Sequence, residues 1–305
     1  MKHTSLQNTH WAYSTLWLCA MIWGGTFVFQ KLAVSSLDPL LFNALRSVLS
    51  AVTLFPFLII ASVQDDTDFD FIRLQELKIG LVLGSVLWLA LGFQQIGITT
   101  TTASKAALIT GLYVLLVPLV MKVIFADRLS VWQLGVMLIG VIGLYFLITH
   151  TDGWRINHGD LWVLCGTVMW ALHVSILGHS ISQVRILPIA IVQMLTCALL
   201  SAVSSFALQE SASWQDIFAA IPSLIYTGLL SGCIAFTLQV YGQSRVSPSV
   251  AAIILSFEAV FGVWAGWYFL KEQFDLRSII GAGFIIVAIT LLETLNHRRS
   301  REVAQ

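Results

Sequence analysis

The chain has 305 residues, of which 57% are hydrophobic and only 10% are charged, and its mean hydropathy is +0.85. These values exclude an ordinary soluble protein, in which about a quarter of the residues are charged. Lys plus Arg and Asp plus Glu both number 16, so the formal net charge is zero and gives no information about partners.

Ten apolar stretches of about 20 residues account for most of the chain, and each could cross a hydrocarbon core as a helix. Backbone polar groups in lipid must be bonded within their own segment, so we expect these stretches to be helical. The sequence therefore predicts an all-α polytopic membrane protein with ten transmembrane helices. We place them at 13–34, 39–61, 77–96, 103–125, 131–149, 160–179, 187–208, 219–240, 249–270 and 277–296.

The segments between the predicted helices are short, so no soluble domain is expected. The longest polar insert, 62–76, is acidic and is predicted to be a loop or a short surface helix. The first apolar run lacks a small-residue cleavage site, and we expect it to be retained as helix 1. The cysteines lie within predicted helices without the spacing of a metal site, and we expect buried packing residues: Cys19, Cys165, Cys197 and Cys233.

The distribution of Lys and Arg predicts the orientation, because cytoplasmic loops carry an excess of these residues. With the N-terminus inside, ten of them fall on the cytoplasmic side and five on the other, while Arg46 falls within the membrane. We therefore expect both termini in the cytoplasm and the protein in the inner (cytoplasmic) membrane.

The two halves of the chain resemble each other. A shift of 145 residues places Ala106 on Ala251 and Asp127 on Glu272, and a slightly different offset places Trp23 on Trp170. Each half, 1–150 and 151–305, holds five predicted helices, and because five is odd the second half must be inverted in the membrane. Inverted repeats are typical of secondary transporters, with the substrate site near the midplane. The alternative is a repeat that serves only to build a helix bundle.

The repeated segments carry a family resemblance. The run TTTASKAALITGLYVLLVP (100–118), followed by FADRLS, recurs in modified form as QVYGQSRVSPSVAAIILSFEAVFG (239–262), followed by FLKEQF. These runs, with Trp23-Gly24-Gly25 through Lys31 and with Arg46, resemble EamA-type carriers of the drug/metabolite transporter superfamily. The resemblance implies a ten-helix carrier with an inverted five-plus-five repeat that moves small metabolites, often outward. Two positions depart from the pattern: Ala259 stands where many members have proline, and Asp127 replaces the usual glutamate.

Glu258 lies about ten residues into predicted helix 9, close to the bilayer midplane. A charge at that depth costs at least a few kcal/mol, so Glu258 should face the bundle interior, pair with a cation or be protonated. It is predicted to contact substrate or couple protons; the alternative is a structural tie between helices. Gly262 and Gly266 follow on the same face, which indicates that this face contacts another helix.

Arg46 lies about 11 Å into predicted helix 2, and its guanidinium cannot lose its proton. It either binds an anionic group of the substrate or braces the fold. Lys105, at the outer start of predicted helix 4, either meets incoming substrate or extends its amine to the membrane surface.

Three tryptophans and a histidine lie in the middle of predicted helices, where aromatic side chains could line a cavity for an organic ligand; the alternative is ordinary packing. Tyr113 is placed opposite Glu258 by the repeat, and Thr110 lies one turn before it. The candidate substrate-binding or coupling residues are therefore Glu258, Arg46, Tyr113, Thr110, Trp23, Trp88, Trp170, His173 and Lys105.

A secondary transporter is the predicted class. The sequence has no Walker A motif to bind ATP and no HExxH motif or evident nucleophile–base pair, and no selectivity filter is recognisable. The alternatives are a membrane-embedded enzyme and a channel-like facilitator. We expect the export of amino acids, related amphipathic compounds or drugs by alternating access, with protons as the coupling ion. No cofactor, metal or nucleic acid is expected, and we expect a monomer or a weak homodimer in the lipid bilayer.

Overall fold

A computed structural model describes residues 2–64, 72–126, 129–150, 153–180, 184–246, 251, 254–255 and 257–302. The first half holds α1 (Lys2–Ala33), α2 (Pro39–Gln64), α3 (Leu74–Thr100), α4 (Ala103–Gly111), α5 (Tyr113–Phe125) and α6 (Val131–Ile148). The second half holds α7 (His158–Ser180), α8 (Ile186–Ala207), α9 (Trp214–Leu224), a π-helical segment (Ile225–Ala235), α10 (Phe236–Gln243), α11 (Glu258–Leu270) and α12 (Leu276–Glu302). Between the halves, β1 (Thr149–His150) and β2 (Gly153–Ile156) pair as an antiparallel hairpin, with Thr149 opposite Ile156.

Within the described residues, seven helical segments are long and apolar enough to cross a membrane. Two shorter apolar helices, 131–147 and 276–292, accompany them. These findings agree with the predicted all-α, multi-pass membrane protein. Predicted helix 9 lies partly outside the described residues, and so do residues 65–71 of the acidic insert 62–76. Asp127 lies outside them as well.

Several helices begin earlier than hydropathy predicts: α1 begins at Lys2 instead of 13, and α3 and α9 have polar starts that explain the difference. α3 begins at Leu74 and α9 at Trp214, where the apolar pattern suggested 77 and 219. In both helices an acidic residue of the first turn caps the start: Glu76 accepts a hydrogen bond from the Arg73 amide, and Asp216 accepts one from the Ser213 amide (both 2.9 Å). In α9 the Ser213 hydroxyl also accepts from the Asp216 amide, which completes a capping box. A hydropathy window excludes such polar residues, although they stabilise the helix start.

The backbone angles directly before α5 and α11 match between the two halves. Between α4 and α5, Leu112 has φ −65° and ψ −13°, and immediately before α11, Phe257 has φ −63° and ψ −10°. The helices that follow also end alike, because Ala126 (φ 58°) and Lys271 (φ 57°) are both left-handed. Both pairs are 145 residues apart, which is the offset found in the sequence.

Helix packing joins the halves: α4 packs on α11, α2 on α8, α6 on α12 and α3 on α7. Beyond the end of α11, Glu272 accepts hydrogen bonds from the first amides of α4, those of Ala103 (2.8 Å) and Ser104 (3.0 Å). Glu210, which follows α8, accepts one from the Leu41 amide of α2 (2.7 Å). The end of one helix therefore lies beside the start of its partner, so α4 and α11 run antiparallel, as do α2 and α8.

α4 and α11 approach closely because their contact surfaces consist of small residues. A Cβ added at Gly262 would collide with the Cβ of Ala107, and one added at Gly111 would lie 2.8 Å from that of Ala259. This contact accounts for the predicted small-residue face of predicted helix 9. It also brings the starts of α5 and α11, Tyr113 and Glu258, to the same interior region.

Candidate substrate site

An interior cavity lies between the halves, with its lining supplied by α1 to α5, α7, α8, the π-helical segment, α10 and α11. The volume that the centres of water molecules can occupy inside the cavity is about 40 Å³. The cavity is therefore small in this conformation.

One of the two charged residues of the described lining is Glu258, at the start of α11. Only 4% of its surface is exposed, and it makes no hydrogen bond or ion pair with any described residue. The Cys19 thiol of α1 lies close enough to interact electrostatically with it. A buried carboxyl group without a partner is costly, which marks the position as one with a chemical role.

Arg46 is the other charged residue of the described lining, and it is also only 4% exposed. Its guanidinium carbon lies 5.5 Å from the centre of the Phe42 ring, and its Nη2 atom has no hydrogen-bond partner. The Ser50 hydroxyl lies within hydrogen-bonding distance of the carbonyls of Arg46 (2.8 Å) and Gly228 (2.7 Å). The backbone at Arg46 is thus held against the π-helical segment, while the guanidinium makes no hydrogen bond or ion pair with any residue that the structure describes.

A chain of side-chain hydrogen bonds forms one polar wall. Gln30 of α1 bonds to Gln94 of α3 (3.2 Å), and Gln94 bonds to the Thr110 hydroxyl of α4 (2.9 Å). The Gln30 side-chain oxygen has no partner, although the residue is buried. This wall therefore links three helices and still offers hydrogen-bonding capacity to a solute.

Three aromatic rings form the opposing apolar surface. Trp23 lies with its ring centre 6.2 Å from that of Trp170 and 5.1 Å from that of Phe236. The Trp23 indole nitrogen donates a hydrogen bond to the Ser231 carbonyl (3.4 Å), whereas that of Trp170 has no partner. Rings combined with a few polar groups are typical of binding sites for organic ligands.

Six of the nine predicted site residues line this cavity: Glu258, Arg46, Tyr113, Thr110, Trp23 and Trp170. The other three do not. Trp88 is partly buried and packs on the apolar core, and Lys105 is half-buried near the start of α4. His173 is fully buried behind the aromatic rings and bonds to Gln193 (3.1 Å). The sequence gives a residue's depth in its helix, but only the packing of neighbouring helices decides whether a cavity adjoins it.

Several polar residues of the lining were not predicted from the sequence, because serine and threonine side chains cost little free energy in membrane helices. Their spacing was the available signal: Thr26 and Gln30 follow Trp23 at helical spacing, and Ser50 lies one turn after Arg46. The remaining small polar residues of the lining are Ser47, Thr227 and Ser231.

The two ends of α3 are fixed by different charged groups. At its end, the Lys31 amine donates hydrogen bonds to the carbonyls of Ile98 (2.9 Å), Thr99 (3.3 Å) and Thr101 (2.8 Å). At its start, Glu76 forms a two-pronged ion pair with Arg185, the N-cap of α8 (2.7 and 2.8 Å). Further bonds hold the turn after α3, from Asn157 to the Thr100 carbonyl and from Thr101 to Asp160.

The family model of the EamA-like transporters matches the chain twice, at residues 10–149 and 157–294. The chain belongs to the EamA-like transporter family. Members similar to it include an uncharacterized transporter of Archaeoglobus fulgidus, 28% identical over 90% of this chain and 83% of the relative. The uncharacterized transporter YoaV of Bacillus subtilis is 24% identical over 88% of this chain and 92% of its own.

A more distant relative, from Chlamydia muridarum, is named an S-adenosylmethionine/S-adenosylhomocysteine transporter. It is 22% identical over 96% of this chain and 94% of its own length. One solved structure, titled only as the crystal structure of a protein, matches with a TM-score of 0.63 at 17% identity, over 94% of this chain and 98% of that one. That likeness concerns the fold. The family and its named members are transporters, so this EamA-like chain is a multi-pass protein of a membrane transporter family.

Proposed function

We propose that the protein is a secondary transporter whose substrate site is the interior cavity lined by Arg46 and Glu258. It moves small organic metabolites, namely amino acids, related amphipathic compounds or drugs, outward across the inner membrane with both termini in the cytoplasm. The single observation that carries this proposal is a buried cavity with two unpaired charged groups and an aromatic wall. Unpaired charges at such depth are costly unless a solute or coupling ion uses them.

The proposed architecture is ten transmembrane helices in two inverted halves, 1–150 and 151–305. Its support is the 145-residue correspondence of the backbone angles at Leu112 and Phe257, together with the antiparallel course of α4 and α11. In such carriers the site lies between the halves, and one half moves against the other to expose it to each side in turn.

The proposed substrate chemistry follows from the lining. An amino acid carries one positive and one negative group, and the cavity holds one acidic and one basic side chain. The aromatic rings suit the apolar part of such a molecule. The Chlamydia relative, named for a substrate that itself contains an amino acid group, is compatible with this class. Protons are the proposed coupling ion and Glu258 the group that would bind them.

The test is flux through purified protein in liposomes. Individual radiolabelled amino acids are presented with and without a proton gradient, and saturable flux above that of protein-free liposomes is expected for at least one. Ser231→Trp should abolish flux because the large ring fills the cavity, whereas Cys165→Trp, on an exposed surface of α7, should retain it. Equal loss in both variants would contradict the assigned site, and hydrolysis of a lipid or peptide without flux would favour an enzyme.

A further inference from the structure

Three cationic side chains of the membrane helices and their ends have very different surroundings. The Lys31 amine donates to three carbonyl oxygens, and Arg185 forms a two-pronged ion pair with Glu76. A cation that braces the fold requires such bonds to other protein groups. Arg46 is more deeply buried than either, yet its guanidinium makes no hydrogen bond or ion pair with any described residue. This contrast within one molecule argues against a bracing role for Arg46.

The guanidinium of Arg46 also lies on a rigid support. Its own carbonyl contacts the Ser50 hydroxyl, and a Cβ added to Gly228 would lie 3.0 Å from that carbonyl, so the π-helical segment packs directly on the α2 backbone. The Phe42 ring flanks the charge at 5.5 Å. A fixed backbone with unoccupied donors is the arrangement that holds a ligand with little loss of side-chain freedom.

The charge of Arg46 requires a counter-charge. A guanidinium keeps its proton at any physiological pH, and at this depth water solvates it poorly. Glu258 is the only carboxyl group among the described lining residues, and the two side chains are not within ion-pair distance. Arg46 belongs to α2 and its neighbours are α8 and the π-helical segment, whereas Glu258 belongs to α11 and its neighbours are α1 and α4. None of the described residues supplies the counter-charge of Arg46, which leaves the position open to the charge of a solute.

We propose that the cavity selects substrates that carry a carboxylate, and that Arg46 binds this group through its paired N–H donors. The proposal rests on the function proposed above and names the chemical class that the same site accepts. A planar carboxylate matches the fork of a guanidinium. One unit of negative charge neutralises Arg46, whereas a phosphate monoester would bring about two, in a lining that offers no second cation among its described residues.

Ser47 adds a neighbouring donor. Its hydroxyl lines the cavity beside Arg46, and its hydrogen-bond partner is the sulfur of Cys197 at 3.5 Å, a weak acceptor that a carboxylate oxygen could replace. The carboxylate is common to amino acids and to simple organic acids. Whether the substrate also needs an amine is a separate question that concerns Glu258, and the experiment separates the two.

The experiment compares matched compounds in wild-type proteoliposomes. Flux of a transported radiolabelled amino acid is competed with the unlabelled amino acid, its carboxamide, the corresponding acid without the amine, and the corresponding amine without the carboxylate. The carboxamide and the amine should compete about 10- to 100-fold more weakly than the amino acid, because each lacks the charge-assisted bonds to Arg46. Equal competition by the carboxamide would overturn the proposal while leaving transport itself intact.

Two variants locate the effect. In Arg46→Gln, discrimination between the amino acid and its carboxamide should fall to within about threefold, whereas Arg185→Lys, at an arginine paired outside the cavity, should keep the wild-type ratio. If Arg46→Gln does not fold, Arg46→Lys serves instead, with an expected rise in KM at least several-fold greater for the amino acid than for its carboxamide. An unchanged ratio in a folded Arg46 variant overturns the assignment. Absence of flux for every compound would instead contradict the proposed function.

Discussion

Tyr113 and Glu258, 145 residues apart, each occupy the first position of a helix, and both line the same cavity. The close contact of α4 with α11, through Gly262 and Ala107, brings these two starts together. The two halves thus contribute different chemistry at equivalent positions: a phenol from one and a carboxyl group from the other. This difference makes Glu258 the position to test first.

We predict that Glu258→Gln leaves the protein folded and alters transport. Glutamine has the shape and hydrogen-bonding capacity of a neutral glutamate, so a purely structural role would survive the change. If Glu258 couples protons, flux should lose its response to a pH gradient; if it binds a substrate amine, the KM should rise by about tenfold or more. The measurement is flux in liposomes with and without the gradient at several substrate concentrations.

The matched control for Glu258→Gln is Glu210→Gln. Glu210 caps α2 outside the cavity, and an amide oxygen can still accept from the Leu41 amide. This control should transport at the wild-type rate. Wild-type behaviour of Glu258→Gln under every condition would show that Glu258 is a structural residue.

We predict that Lys31→Met loosens the end of the bundle that the predicted topology places outside. The change leaves three carbonyl groups without their donor, at a cost of about 1–3 kcal/mol. Conformations open to that side should become more populated. The measurement is labelling of Ser231→Cys by an impermeant thiol reagent added from outside, in a protein whose four native cysteines are replaced.

Labelling in the Lys31→Met protein should be roughly threefold faster or more than in the parent, which corresponds to a small shift between two states. Lys105→Met is the control, because Lys105 lies half-buried near the same turn and its amine bonds to no described residue. Equal labelling rates in the two variants would show that the lysine bonds do not hold this end closed.

Close packing of α11 on α4 predicts that Gly262→Val destabilises the protein by about 1–3 kcal/mol, since the added methyl groups collide with Ala107 and Phe27. Gly283→Val in α12 is the control: a Cβ there meets no atom within 4 Å, and the residue is exposed. The measurement is unfolding of the purified proteins in detergent. Equal stability of the two variants would contradict the tight α4–α11 contact.

Removal of the cap on α4 should also destabilise the protein. Glu272→Ala deprives the Ala103 and Ser104 amides of their acceptor and should cost about 1 kcal/mol or more. Glu272→Gln, which retains one acceptor oxygen, should lose less. The same unfolding measurement checks both, and a larger loss for the glutamine variant would contradict the capping role.

The orientation remains a prediction from the distribution of Lys and Arg. Alkaline phosphatase fused after residue 155 should be active because that site is expected outside, and the same enzyme fused at the C-terminus should be inactive. The measurement is the phosphatase activity of each fusion, normalised to the amount of fusion protein, and it decides the orientation of the chain in the membrane. High activity at the C-terminus would contradict a topology with both termini in the cytoplasm.

The sequence by itself determined that the helices lie in lipid, and it gave the positions of most of them. It also identified the two charged residues that line the cavity. These follow from local quantities: the apolar length needed to cross lipid, and the cost of each polar side chain within it. That cost singles out Glu258 and Arg46 whatever surrounds them. The repeat could also be recognised from the sequence, because the offset of 145 residues that places Ala106 on Ala251 also places Asp127 on Glu272.

Only the tertiary structure decided which of the less costly residues meet the cavity. Trp170 lines it and Trp88 does not, although both lie in the middle of apolar helices, and His173 is buried behind Trp170. A cavity exists where neighbouring helices diverge, and that depends on contacts between residues far apart in the chain, such as Gly262 with Ala107. The sequence of a single helix contains no information on how far its neighbours lie from it. Only the packing of the bundle therefore decides which residues line the cavity.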